Sequence, residues 1–137
     1  HVIEPTFGLG RTILAVLSSA YTEDELSGEG ETRVYLKLPA NIAPVKIAVF
    51  PLLKNKPALI EKAKEVFVDL KSKYGAVVFD DNGNIGKRYR RQDEIGTPYC
   101  VTVDFDTLED DTVTLRHRDT GEQTRVKTSE LSQAIKI

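Results

Sequence analysis

Seven of the eight residues from Lys87 to Glu94 carry a charge or an aromatic ring. They stand in the run Ile85-Gly86-Lys87-Arg88-Tyr89-Arg90-Arg91-Gln92-Asp93-Glu94-Ile95-Gly96-Thr97-Pro98-Tyr99. A guanidinium is permanently charged and its planar fork matches phosphate oxygens. A phenol ring offers a plane on which a base can stack, and a carboxylate accepts a hydrogen bond from the amino group of cytosine. Arginines 88, 90 and 91, Tyr89, Asp93 and Glu94 therefore form an inventory suited to unpaired ribonucleotides with splayed bases. The same spacing also suits a solvated helix whose Arg and Glu side chains pair at i,i+3 or i,i+4, each pair contributing only about 0.2–0.5 kcal/mol. For one arginine the two readings weigh equally, whereas for the whole cluster recognition wins. Two further stretches carry cations. In Thr114-Leu115-Arg116-His117-Arg118-Asp119-Thr120-Gly121, strand alternation puts Arg116 and Arg118 on one face and His117 on the other, with Asp119 serving mainly the turn. In His1-Val-Ile-Glu-Pro-Thr-Phe-Gly-Leu-Gly-Arg11, a strand-like apolar run holds Glu4, breaks at Pro5, turns through Gly8 and Gly10, and delivers Arg11 into an amphipathic helix.

Composition limits what these residues can belong to. A chain of 137 residues supports one domain, burying roughly two thirds of the surface its unfolded form exposes. No apolar run approaches the roughly 20 residues that span a bilayer, so no membrane partner is expected. The single Cys100 excludes an internal disulfide and a cysteine-based zinc cluster and points to a reducing, cytoplasmic setting. The net charge of −2 argues against an indiscriminate nucleic-acid binder, whose affinity comes from a broadly basic surface. Distribution matters more than the sum. Acid gathers at Glu23-Asp24-Glu25, Glu29, Glu31 and from Asp104 to Asp111, while base gathers at 87–91, at Arg116-His117-Arg118, and at Arg125 and Lys127.

The elements that must position these residues follow from periodicity. Ile13, Leu14, Leu17 and Tyr21 recur at helical spacing, and the acidic, glycine-containing stretch after them reads as a linker. Thr32–Leu38 has strand character, and the nearly all-apolar Val45–Phe50 is expected to be a strand covered on both faces. Pro57 suits the first turn of a helix whose stripe is Leu59, Ile60, Ala63, Val66, Phe67, Leu70 and Tyr74, with Gly75 at its end. A second buried strand over 76–79, a turn over 80–84, a short helix over 85–95 and a strand over 99–105 come next. Strands over 112–118 and 123–127 then flank the hairpin turn Asp119-Thr120-Gly121-Glu122, and Thr128 or Ser129 can cap a final helix. Strand, helix, strand, helix, strand, hairpin implies an α/β fold: a mixed sheet of about five strands flanked by helices, parallel at its start and antiparallel at its end.

The 85–99 run closely resembles the signature of glycyl-tRNA synthetase anticodon domains, and Thr114–Asp119 resembles that family's Thr-Leu-Arg-x-Arg-Asp hairpin. Residues 1–11 resemble motif 3 of class II aminoacyl-tRNA synthetases. The resemblance covers practically the whole chain, and the element order is that of the anticodon-binding domain shared by class IIa synthetases. It implies three regions: the terminal strand and helix of a class II catalytic domain over 1–26, a linker over 27–33, and an anticodon-binding domain over 34–137. By the same resemblance Arg11 binds ATP, Glu4 and Thr6 hold glycine, and Arg88, Tyr89, Arg90, Arg91, Asp93, Glu94, Arg116 and Arg118 contact the tRNA anticodon. Thr6 stands where serine is the usual residue. The parent reaction is ATP-dependent attachment of glycine to its tRNA, with magnesium at the phosphates. The expected partners are glycine tRNA and the parent's catalytic domain. Motifs 1 and 2 have no counterpart here, so the chain is expected to be a C-terminal fragment that holds no complete catalytic set and needs no metal or cofactor. The parent is expected to dimerise and this piece to be a monomer.

Other readings fit less well. A synthetase-like accessory module without an aminoacylation role would have no need for an intact Glu4–Arg11 motif. A phosphotransfer receiver, suggested by Asp80-Asp81 at a strand end, requires a strand order that the hairpin contradicts. No serine or cysteine nucleophile is tied to His117, and Cys100 reads as a small core residue.

Overall fold

All five residues of β3 (Ile47–Pro51) and all five of β5 (Tyr99–Val103) are buried, as strands covered on both faces must be. They pair in parallel, from Ile47 opposite Tyr99 to Pro51 opposite Val103. β4 (Val77–Phe79) lies parallel to β3 on its other side. β6 (Thr112–His117) and β7 (Gln123–Lys127) add antiparallel beyond β5, which gives the order β4-β3-β5-β6-β7. This is the mixed sheet of five strands expected from the sequence. The computed structural model describes residues 1–25 and 32–137.

Alternation along each strand divides the core between two faces. Ile47, Val49, Val101, Val103, Val113 and Leu115 pack against Leu59, Ala63, Val66 and Leu70 of α2 (Pro57–Tyr74), and against Leu131 and Ile135 at the C-terminal end. Ala48, Phe50 and Cys100 point the other way, to Ile85 and Tyr89 of α3 (Ile85–Ile95). Cys100 is thus a core residue, and burial pushes its thiol up.

Helix ends are set by particular residues. Asn84 caps α3, its side chain accepting from the Lys87 N–H at 2.9 Å. Gly96 ends α3 in the left-handed region at φ +82°, and its N–H bonds the Gln92 and Asp93 carbonyls. The strand expected to run on to Phe105 stops at Val103, because Asp104 instead caps α4 (Phe105–Asp110). Its carboxylate accepts from the Thr107 N–H at 3.1 Å while the Thr107 hydroxyl accepts from the Asp104 N–H at 3.0 Å, a closed capping box. At the C-terminal end a 3-10 turn (Thr128–Glu130) leads into α5 (Leu131–Ala134). There Thr128 donates to Asp111 rather than capping the helix.

The N-terminal part departs further from expectation. Residues 1–8 form no regular secondary structure, and α1 (Leu9–Ala20) begins after them. A strand needs a neighbour to take its backbone N–H and C=O groups, and among the described residues none is paired with this segment. After α1 the acidic residues do not end the order: β1 (Tyr21–Asp24) pairs antiparallel with β2 (Arg33–Leu36), from Tyr21 opposite Leu36 to Asp24 opposite Arg33. Of the linker expected over 27–33, residues 27–31 lie outside the described residues, and Arg33 opens β2. Ala20, Leu36, Leu38 and Ala43 form a small apolar cluster beneath this hairpin.

Two stability predictions follow. A Cβ at Gly96 would lie 2.8 Å from Leu38 Cδ1 and 3.0 Å from the Leu36 carbonyl oxygen. Adding that contact to the roughly 1–2 kcal/mol cost of a left-handed non-glycine residue, Gly96→Ala should lower the denaturation midpoint sharply with an unchanged m-value. Partial burial alone would raise the Asp104 carboxyl, but hydrogen bonds from Arg125 and from both the backbone and the side chain of Thr107 hold it below its ordinary range. A depressed carboxyl contributes stability that is present above its unfolded pKa, about 3.9, and lost as pH falls through the folded value. Asp104→Ala should therefore cost about 1 kcal/mol at neutral pH, and thermal melts of the two proteins should converge as the pH drops below about 4.

Candidate nucleic-acid interface

α3 lies on its face of the sheet with Arg88, Gln92 and Asp93 buried beneath it, while Lys87, Arg90 and Glu94 are exposed and Arg91 is half-buried. Positions 87, 90, 91 and 94 recur at i, i+3, i+4 and i+7, so they form one outward stripe. The inward set recurs at the same period. One helix thus carries two populations of charge with different duties.

The buried members are bound to the protein itself. Arg88 directs its guanidinium at four carbonyls: Pro51 at the end of β3, Asn82 (3.3 Å), Asp81 (2.9 Å) and Gly83 (2.8 Å). It holds the 81–83 turn against the sheet, and its burial lowers its pKa. Asp93 takes both arms of Arg116, at 2.8 and 2.9 Å, in a bidentate pair. Burial works against the Arg116 charge, but the hydrogen bonds and the charge of Asp93 outweigh it and raise its pKa. Arg116 also lies 4.9 Å from the Tyr89 ring centroid. Tyr89 packs edge-on against Phe50 with centroids 5.5 Å apart, and its hydroxyl meets Thr102 Oγ1 at 2.6 Å. Arg118 donates to the Gly96 carbonyl at 2.6 Å, the Leu38 carbonyl at 2.9 Å and Asp119 at 2.7 Å. The strand expected over 112–118 ends at His117, with Arg118 in the turn that follows. Arg116 and Arg118 still both bond to the C-terminal end of α3, at Asp93 and Gly96, while His117 packs against Tyr99 with centroids 5.1 Å apart.

The structure therefore joins Tyr89, Asp93 and Arg116 in one buried network and places Arg118 and Arg88 in separate internal clasps. It leaves Arg90, Arg91 and Glu94 on the outward stripe, joined there by Lys87. Arg91 leans on Asp80 at 2.6 Å and on the Asn82 carbonyl at 2.8 Å. Asp80 also accepts from the Asn82 N–H at 2.9 Å, so the acidic pair at this strand end is part of an ordinary turn. Glu4 and Thr6 are exposed in the irregular segment, and Arg11 is exposed in the first turn of α1. Glu4 and Thr6, expected to hold glycine, and Arg11, expected to bind ATP, thus lie open to solvent among the described residues.

Sequence reasoning missed Arg33. Its Nε and Nη2 hold both Asp24 oxygens at 2.8 and 2.6 Å, and its Nη1 reaches Asp93 at 3.2 Å and the Arg118 carbonyl at 2.7 Å. Its guanidinium lies 4.1 Å from the Tyr35 ring centroid. The hydrogen bond from Arg33 holds the Asp24 carboxyl below its ordinary range. The only signal in the sequence was a cation opening the short apolar run Arg33-Val-Tyr-Leu36.

The family described as the anticodon binding domain matches residues 46–136. The glycine–tRNA ligase of Clostridium beijerinckii is 52% identical over 135 residues, covering 98% of this chain and 28% of that ligase. The one from Rhodopirellula baltica is 53% identical over 138 residues, covering 98% of this chain and 25% of that ligase. The chain thus spans little more than a quarter of the length of these relatives. A crystal structure of the RNA-binding domain of threonyl-tRNA synthetase from Cryptosporidium parvum Iowa II superimposes with a TM-score of 0.64 at 26% identity, over 72% of this chain and 24% of that one. A family match over most of the chain, on a sheet that carries a helix with an outward charged stripe, places this chain in the anticodon-binding domain family.

Proposed function

We propose that this chain reads the anticodon of glycine tRNA as part of a glycine–tRNA ligase. The observation that carries the reading is the division of α3. Lys87, Arg90, Arg91 and Glu94 face outward, while beneath them Arg88 bonds backbone carbonyls and Asp93 pairs with Arg116. In this reading the outward set touches RNA: the cations meet phosphates, and Glu94 accepts from a cytosine amino group. Glycine anticodons end in two cytosines by the genetic code. Arg88, Tyr89, Asp93, Arg116 and Arg118 act by holding the reading surface, because an RNA group could reach Asp93 only by displacing guanidinium partners already in place.

The remainder of the ligase would supply the enclosure that Glu4, Thr6 and Arg11 lack, and with it ATP, magnesium and the chemistry of glycine attachment. The exposed apolar side chains Leu9, Ile13, Leu14 and Leu17 of α1 suit contact with that remainder. No described helix is long and apolar enough to cross a membrane.

Fluorescence anisotropy tests this reading with an anticodon stem-loop of glycine tRNA and the same stem-loop with both cytosines replaced. The unaltered stem-loop should bind more tightly. Arg90→Ala and Arg91→Ala should weaken binding, each lost phosphate contact reducing the slope of log affinity against log salt by about 0.7. Lys64→Ala, on α2 across the sheet, should leave it unchanged. Equal affinity for both stem-loops removes the anticodon assignment.

A further inference from the structure

We propose that Arg33 is a positioning residue for anticodon reading, orienting α3 relative to the β1–β2 hairpin and to α1 through its bonds to Asp24 and Asp93; this rests on the reading of α3 given above. Four charges alternate in sign along one line. Asp24 on β1 is gripped by Arg33 on β2, Arg33 reaches Asp93 on α3, and Asp93 grips Arg116 on β6. Side-chain exposure along the line is 30% at Asp24, 11% at Arg33, 3% at Asp93 and 7% at Arg116, so all but the first link are shielded from solvent. A second tie runs alongside: Arg33 also donates to the Arg118 carbonyl, while Arg118 donates to the Gly96 and Leu38 carbonyls.

The geometry gives this chain of bonds a lever on recognition. Asp93 is held from two sides, by β6 and by β2, and it is the residue next to Glu94. Successive residues of a helix stand about 100° apart around its axis. Fixing the direction of Asp93 therefore fixes the directions of Glu94, Arg91 and Arg90, and the reading stripe cannot rotate while both guanidinium partners are in place. Arg116 alone leaves α3 fixed to the sheet. Arg33 adds the connection to the hairpin that follows α1, so the outward stripe keeps one orientation toward both parts of the chain.

The test measures discrimination rather than affinity: the ratio of dissociation constants for the glycine anticodon stem-loop and its cytosine-replaced counterpart, for the unaltered chain, Arg33→Met, Asp24→Asn and Glu23→Gln. Arg33→Met and Asp24→Asn should each reduce the ratio by about threefold or more, within the range of substitutions along a coupling network, with affinity for the cytosine-replaced RNA unchanged. Glu23→Gln, whose partner is Tyr21 at 2.5 Å outside the line, should keep the full ratio. Asp24→Asn removes only the partly exposed end and keeps the Asp93–Arg116 pair, so it remains informative if Arg33→Met does not fold. A cooperative melt combined with an unchanged ratio in Asp24→Asn overturns the positioning role and leaves the anticodon reading standing. An unaltered chain that does not discriminate overturns both.

Discussion

The buried bidentate pair between Asp93 and Arg116 is the constraint on which the rest of the site depends. A carboxylate and a guanidinium removed from water each carry a desolvation cost of several kcal/mol, offset only when geometry is good and the remaining donors and acceptors are used. Here they are used. Both oxygens of Asp93 are occupied, Arg33 approaches from the other side, and the Tyr89 ring lies against the Arg116 guanidinium. A helix resting on the sheet by apolar contact alone could slide or roll among several packings, since Ala48, Phe50, Val78, Cys100, Ile85 and Tyr89 are few. The ion pair selects one packing, because any shift leaves a charge stranded in a low-dielectric interior.

This separates two uses of arginine that composition cannot distinguish. The basic clusters of the sequence suggest a local cationic face, yet Arg88, Arg116 and Arg118 are 1%, 6% and 3% exposed, and their donors are committed to carbonyls and carboxylates of the fold. The guanidinium serves inside for the same reason that it serves toward phosphate: several donors in a rigid fork can satisfy several acceptors at once. Arg88 does so with four carbonyls from two segments, where the single ammonium of a lysine would not span them.

The sheet and its long helix were legible in the sequence because Val45–Phe50 is a short apolar run bounded by prolines and the stripe from Leu59 to Tyr74 has the helical period. Of the β1–β2 hairpin only β2 was, within the strand expected over 32–38; β1 was not, because Tyr21–Asp24 is short, acidic, and defined by pairing rather than pattern. α4 was hidden for a related reason: Asp104 reads as one more acid in an acidic run until its carboxylate is seen to accept the Thr107 N–H. In the site, the residue types were legible and their directions only partly so. The spacing of 87, 90, 91 and 94 already contained the outward stripe. Alternation over the strand expected at 112–118 could place Arg116 and Arg118 on a common face, but it could not say that β6 ends at His117 or that α3 covers Arg116. Arg33 carried no motif, since its role exists only once β2 is brought beside α3.

The parallel pairing of β3 with β5 has a consequence for biosynthesis. Ile47 meets Tyr99 across 51 intervening residues, with α2, β4 and α3 between them. Long loops close late, because their ends must find one another before any contact offsets the entropy lost. While the ribosome is still adding α3, the most apolar strand of the domain has β4 on one side and an open hydrogen-bonding edge on the other, the kind of edge that recruits foreign strands. Emergence of Tyr99–Val103 from the exit tunnel is thus the step at which that edge of β3 can be covered, and β6 and β7 must follow before the edge of β5 is covered in turn.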